Sequence, residues 1–232
     1  MADQAVDVAI DFGPDRLAID RALETFCDRY LGGLESPVAD AIRYSLMGEG
    51  KRLRGILFLR AYEAAGGTAD GSAMAGAIVR ELMIASGAGG MIGGQLLDLE
   101  GEGTPQGLEE LQRIHGAKTG ALIAAAATIG GLAARTSRER HDALGRYGAD
   151  IGLAFQIADD VLDVTATTDQ LGKTAGRDLA LRKSTYPALR GVEGARSRAE
   201  ALIREGCASL DEVGLLTPAL DRIAHFTVER TS

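Results

Sequence analysis

The chain has 232 residues, 46% of them hydrophobic, so it can bury a sizeable core; 4% aromatic residues and no Trp leave Ala, Leu, Ile and Gly to fill it, which favours close-packed helices over a sheet sandwich. A net charge of -8 and a pI near 5.0, with only local basic clusters, leave no basic stripe for nucleic acid. Two distant cysteines, Cys27 and Cys207, exclude a disulfide framework and a structural zinc site.

In chain order, the acidic N-terminus with Asp3, Asp7 and Asp11 is not a signal peptide, which makes a cytoplasmic location the expectation. Leu17, Ile19, Leu23, Phe26 and Tyr30 recur at close to helical spacing and predict a helix over Asp15–Tyr30. Pro37 fits the first turn of a second helix running to Met47. A third is predicted from Leu53 to Ala65, stopped by Gly66-Gly67. Ala73 to Glu100 reads as one helix with room for a bend, because Ser86 to Gly94 holds five glycines. Those glycines lack the spacing and the preceding strand of a dinucleotide loop and read as a tight packing face. Pro105 to Ala134 gives one or two helices. Its apolar part from Ala117 contains Lys118 and glycines, so no membrane span is expected. Ser137 to Asp163 is a long helix and Thr165 to Arg177 a polar loop. Helices resume from Leu179, with a turn near Pro187. Strand signals are scarce. The expectation is an all-α fold in a single domain over 1–232.

The chemistry concentrates in Phe155-Gln156-Ile157-Ala158-Asp159-Asp160-Val161-Leu162-Asp163. Asp159 and Asp163 are four apart, so a helix puts both on one face, with Asp160 about 100° round from Asp159. Three acids in an apolar helix are costly unless a cation meets them. Hard carboxylate oxygens suit magnesium, which keeps waters and substrate phosphates in its shell. A bare cluster of this kind equally describes a solvated helix end. Lys173 and Lys183 follow, able to neutralise phosphate oxygens or to sit on the surface, and Asp178 is a candidate metal ligand through water. Lys51 and Arg54 lie near a helix start, a favourable place for an anion. Lys118 followed by Thr119, at the head of an apolar helix, suits a phosphate beside a greasy chain.

Taken together, GKRLR, GGQ-x-x-D-L, HGAKTGAL, FQIADDVLDV, LGKTAGRD and KSTYPAL occur in this order, and the chain resembles the trans-isoprenyl diphosphate synthases (polyprenyl synthetases), most closely the short-chain farnesyl and geranylgeranyl type. The resemblance runs from about Leu17 to Arg230. It implies the isoprenoid synthase helical bundle, a homodimer with the Gly-rich helix near Gly90 close to the contact, and magnesium as cofactor. It implies that isopentenyl diphosphate binds Lys51 and Arg54, although Gly55 stands where the family usually has proline. The allylic diphosphate would rest on magnesium held by Asp159, Asp160 and Asp163. Lys118, Thr119, Gln156, Lys173 and Lys183 would hold it and the developing cation. Gln95 would lie on a cavity-lining helix and Asp98 would be structural. The implied reaction is ionisation, condensation and elimination, with the released diphosphate taking the proton.

One block of the family pattern is missing. After Gly66-Gly67 the family continues into a helix ending in a first aspartate-rich motif, whereas here Ala77 to Leu82 already resembles the approach to the GGQ helix. The apparent deletion near 67–78 amounts to roughly 70 residues, two or three helices at usual lengths. It would take away half of the metal clamp and part of the isopentenyl diphosphate site, and would open an apolar surface. The expectation is a short-chain prenyltransferase; the alternative is a weak or inactive homologue acting as a diphosphate-binding or regulatory partner subunit.

Overall fold

The computed structural model describes residues 12–31, 40, 43–44, 47–48, 52–67, 75–165 and 184–229. All regular structure among the described residues is helical. Helix α1 (Gly13–Leu31) is followed by α2 (Leu53–Ala64), matching two of the predicted helices. The single helix expected over Ala73–Glu100 is two, α3 (Ala75–Ser86) and α4 (Met91–Glu100). Packing sets the break: a Cβ added at Gly90, the residue that caps α4, would lie 2.0 Å from the Ala85 carbonyl oxygen. The chain therefore turns where only glycine fits.

Next comes a continuous rod of α5 (Leu108–His115), one π-helical turn (Gly116–Gly120) and α6 (Ala121–Ala133). Helix α7 (Arg138–Thr165) buries Ala143, Leu144, Tyr147, Ile151, Ala154, Ile157 and Val161, which from Leu144 onward recur three or four apart as an inward stripe requires. Helix α8 (Tyr186–Asp211) starts behind Thr185, whose Oγ1 accepts from the Ala188 amide. Pro187 thus belongs to the first turn of α8 instead of interrupting a helix. The interruption comes at Gly191, whose φ of 73° kinks the helix. Helix α9 (Pro218–Glu229) closes the described chain.

The core forms where α7 packs against α8 and α6, with α2 and α3 covering α6 from the other side. With few aromatic residues, contact is made by bringing backbones together. A Cβ at Gly130 would lie 2.8 Å from Ala61 Cβ, so α2 and α6 touch almost directly. Tyr147, fully buried, donates its hydroxyl to the Leu220 carbonyl and ties α7 to α9. Arg80–Glu100 and Leu108–Ala133 have the length and hydropathy of a membrane span. The first is broken by the turn before Gly90, and the second is the central rod of the bundle. Helices α3 and α4 leave Leu82, Met83, Ile84, Ile92, Leu96 and Leu99 exposed.

Candidate active site

The functional residues converge where the π-turn lies between α4 and α7. Two glycines permit that approach. A Cβ at Gly94 on α4 would lie 2.3 Å from the Lys118 amide nitrogen, and one at Gly152 on α7 would lie 2.7 Å from Gly120 Cα. Both neighbours are backbone and cannot give way. The π-turn widens the helix by one residue, a device frequent at functional sites.

From this turn Lys118 Nζ donates to Asp98 Oδ2 on α4 at 2.7 Å. Thr119 Oγ1 donates to Gln156 Oε1 on α7, also at 2.7 Å. Three residues earlier His115, 7% exposed, places Nε2 3.8 Å from Asp160 Oδ2. Burial, helped by Lys118, pushes the imidazole down to about 4 against the opposing pull of Asp98 and Asp159. At neutral pH His115 is therefore uncharged.

Asp160 and Asp163 are buried and Asp159 is partly so, in the last turns of α7. Asp160 Oδ2 accepts the Tyr186 backbone amide at 2.8 Å. The same chain entry is fixed twice more: Gln112 Nε2 donates to Tyr186 Oη at 2.9 Å, and the Gln106 amide donates to Ser184 Oγ at 2.8 Å. Among the described residues no three His, Cys, Asp or Glu side chains gather closely enough to hold an ion by themselves. Asp159 and Asp163 share a helix face near the C-terminal end of α7, where backbone carbonyls add negative potential. Such a donor set, hard and incomplete, fits a divalent cation that takes its remaining ligands from water and phosphate.

Lys118, Thr119, Gln156 and the three aspartates are thus brought to one region. Arg54, in the first turn of α2, and Gln95, on α4, are exposed and lie outside that hydrogen-bonded set. Lys51, Lys173, Asp178 and Lys183 lie outside the described residues. Sequence reasoning gave no role to His115, Gln112 or Tyr186. For His115 a signal existed: Leu111, Ile114 and His115 form the buried stripe of α5, so this histidine sits where the apolar pattern demands an inward residue. One residue past the π-turn a cavity of about 210 Å³ opens between α3 and α6, lined by Glu81, Ile84, Ala85, Ala121, Ala125 and Thr128.

Comparison with known proteins places this architecture. A polyprenyl synthase from Caulobacter crescentus CB15, solved with calcium and isoprenyl diphosphate, superposes with a TM-score of 0.78 at 20% identity, covering 95% of this chain and 96% of that one. The fold is the all-α bundle of isoprenyl diphosphate synthases. Residues 77–214 match the polyprenyl synthetase family model, and the chain belongs to that family. It is 48% identical over 157 residues to the farnesyl diphosphate synthase of Escherichia coli K12, covering 66% of this chain and 52% of that protein. It is 46% identical over 135 residues to geranylgeranyl pyrophosphate synthase 12 of Arabidopsis thaliana, covering 57% and 38%. The chain spans about half the length of the curated relatives it matches, or less.

Proposed function

We propose that this chain is a trans-prenyltransferase that condenses an allylic diphosphate with isopentenyl diphosphate to give a short-chain isoprenyl diphosphate. The observation that carries the reading is the π-turn. It presents an ammonium and a hydroxyl, Lys118 and Thr119, across from Gln156 and the α7 aspartates, next to a cavity with largely apolar walls. A diphosphate head and a hydrocarbon tail need those two environments side by side. Similarity to farnesyl and geranylgeranyl diphosphate synthases supports the same reading.

Asp159 and Asp163 would hold magnesium, with Asp178 as a further carboxylate. The ion would supply charge neutralisation for the departing diphosphate. Lys118 binds a diphosphate oxygen, joined by Lys173 and Lys183. Thr119 and Gln156 turn their dipoles toward the allylic carbon as positive charge develops there. The C–O bond of the allylic diphosphate breaks and the alkene of isopentenyl diphosphate, bound through Lys51 and Arg54, attacks the cation. The released diphosphate takes the proton, so no side-chain base is required. Gln95 belongs to the wall of the substrate cavity.

The missing block near 67–78 is read as the family's first aspartate-rich motif with its flanking helices. Its loss accounts for the exposed apolar residues of α3 and α4, and a second copy of the chain is the partner proposed to cover them. A cytoplasmic location goes with this reading. The test is incorporation of radiolabelled isopentenyl diphosphate by purified chain of confirmed mass, with magnesium and dimethylallyl, geranyl or farnesyl diphosphate. Prenyl products are the expected result. No product, with magnesium-dependent diphosphate binding retained, would make the chain a diphosphate-binding partner subunit instead.

A further inference from the structure

The geometry points to a division of labour within the aspartate triplet: we propose that Asp160 is a positioning residue that docks the start of α8 onto α7, and that magnesium is left to Asp159 and Asp163. The inference rests on the magnesium reading of those two carboxylates.

Tyr186 is the first residue of α8, so its amide is one of the helix donors without an intrahelical acceptor. Thr185 satisfies the Ala188 amide from within the same segment. The Tyr186 amide is satisfied from another helix, by Asp160 Oδ2 at 2.8 Å. A carboxylate is well placed there, since the positive end of the helix dipole faces it. His115 covers the same oxygen from α5, with Nε2 at 3.8 Å. Gln112 and Gln106 hold Tyr186 and Ser184 from the α5 side. Asp160 is therefore the point at which α5, α7 and the head of α8 meet. On the helix Asp159 and Asp163 lie about 40° apart, and Asp160 is rotated from them by about 100° and 60°.

A metal ligand needs its negative charge, whereas an anchor needs only an acceptor. Asparagine at 160 keeps an oxygen for the Tyr186 amide at the position of Oδ2. The experiment titrates magnesium into the full chain with inorganic pyrophosphate, follows binding by calorimetry, and records melting without magnesium. Asp160→Asn should leave the magnesium half-saturation within about twofold of the parent and the melting temperature unchanged. Asp160→Ala should lower the melting temperature, because a buried amide loses its acceptor. Asp159→Asn and Asp163→Asn should each raise the half-saturation by about tenfold or more while melting normally. A rise for Asp160→Asn equal to that for Asp159→Asn would overturn the proposal, as would equal melting of Asp160→Ala and Asp160→Asn. If Asp159→Asn and Asp163→Asn both left magnesium dependence unchanged, the magnesium reading would fall by itself, and the melting comparison would still decide the anchor.

Discussion

Lys118 Nζ lies 2.7 Å from Asp98 Oδ2, so the ammonium assigned to the substrate diphosphate is already held in place by a carboxylate from α4. The pair joins the π-turn to α4 at a point where the Lys118 side chain is 32% exposed and that of Asp98 is 17% exposed. Partial exposure limits what it adds to stability to about 1–2 kcal/mol. Lys118→Met should lower the melting temperature and abolish most pyrophosphate affinity. Adding Asp98→Asn should restore much of the stability, because the half-buried charge is gone, and none of the affinity. Recovery of both in the double variant would mean that Lys118 only props up the fold.

The Thr119–Gln156 hydrogen bond predicts a different signature. Thr119→Val keeps the shape and removes the donor that orients the Gln156 amide. Turnover should fall by about tenfold to a hundredfold, with KM for the allylic substrate nearly unchanged, since the dipole matters most when charge develops. Steady-state kinetics with labelled isopentenyl diphosphate would check this. A rise in KM at constant kcat would reassign the pair to ground-state binding.

Close backbone contact at Gly94 gives a steric prediction. A methyl group there meets the Lys118 amide nitrogen at 2.3 Å, and no rotamer relieves it. Gly94→Ala should destabilise the chain by about 1–3 kcal/mol, the usual range for overpacking, and should displace the π-turn. Loss of pyrophosphate binding beyond the loss in melting temperature would report that displacement. Gly89→Ala, where the added methyl meets nothing within 4 Å, is the control.

A pH effect follows from Asp150. Burial, with Glu205 nearby, raises its carboxyl to about 6, against the pull of Arg198 and Arg146. The folded state therefore holds this proton more tightly than the unfolded chain. That contribution is complete below the ordinary value near 3.8 and is lost as pH rises through about 6. Asp150→Asn should match the parent near pH 4 and be more stable at pH 7, by about 1 kcal/mol once solvent screening is allowed for. Chemical denaturation at the two pH values would test it, and an equal difference at both would point to a cause other than ionisation.

The long helices were legible because their apolar residues keep strict spacing. The stripe from Ala143 to Val161 on α7 needs no tertiary information to be found. The break before Gly90 was not, because a run of small residues fits a close-packed helix and a turn equally well until the Ala85 carbonyl is seen to occupy the space. Pro187 misled for a related reason: proline marks a helix start as readily as a stop, and the deciding feature is the Thr185 cap. The aspartate triplet stood out in the sequence, but its members could not be told apart there. What distinguishes Asp160 is an amide 26 positions away, brought to it by the packing of α8 on α7.

The π-turn between α5 and α6 carries a consequence for how this segment tolerates change in length. A π-turn is an α-helix with one residue too many, so losing a single residue between Gly116 and Gly120 would restore ordinary spacing. The wide turn already absorbs that residue, so everything beyond the cut would keep nearly the same rotation relative to everything before it. Ile114 and His115 on one side and Ile123 and Ala127 on the other would still face inward together. What the deletion would remove is the bulge from which Lys118 reaches Asp98 and Thr119 reaches Gln156. The spare residue therefore serves the site and not the rod, and a one-codon deletion here would cost function while sparing the packed core.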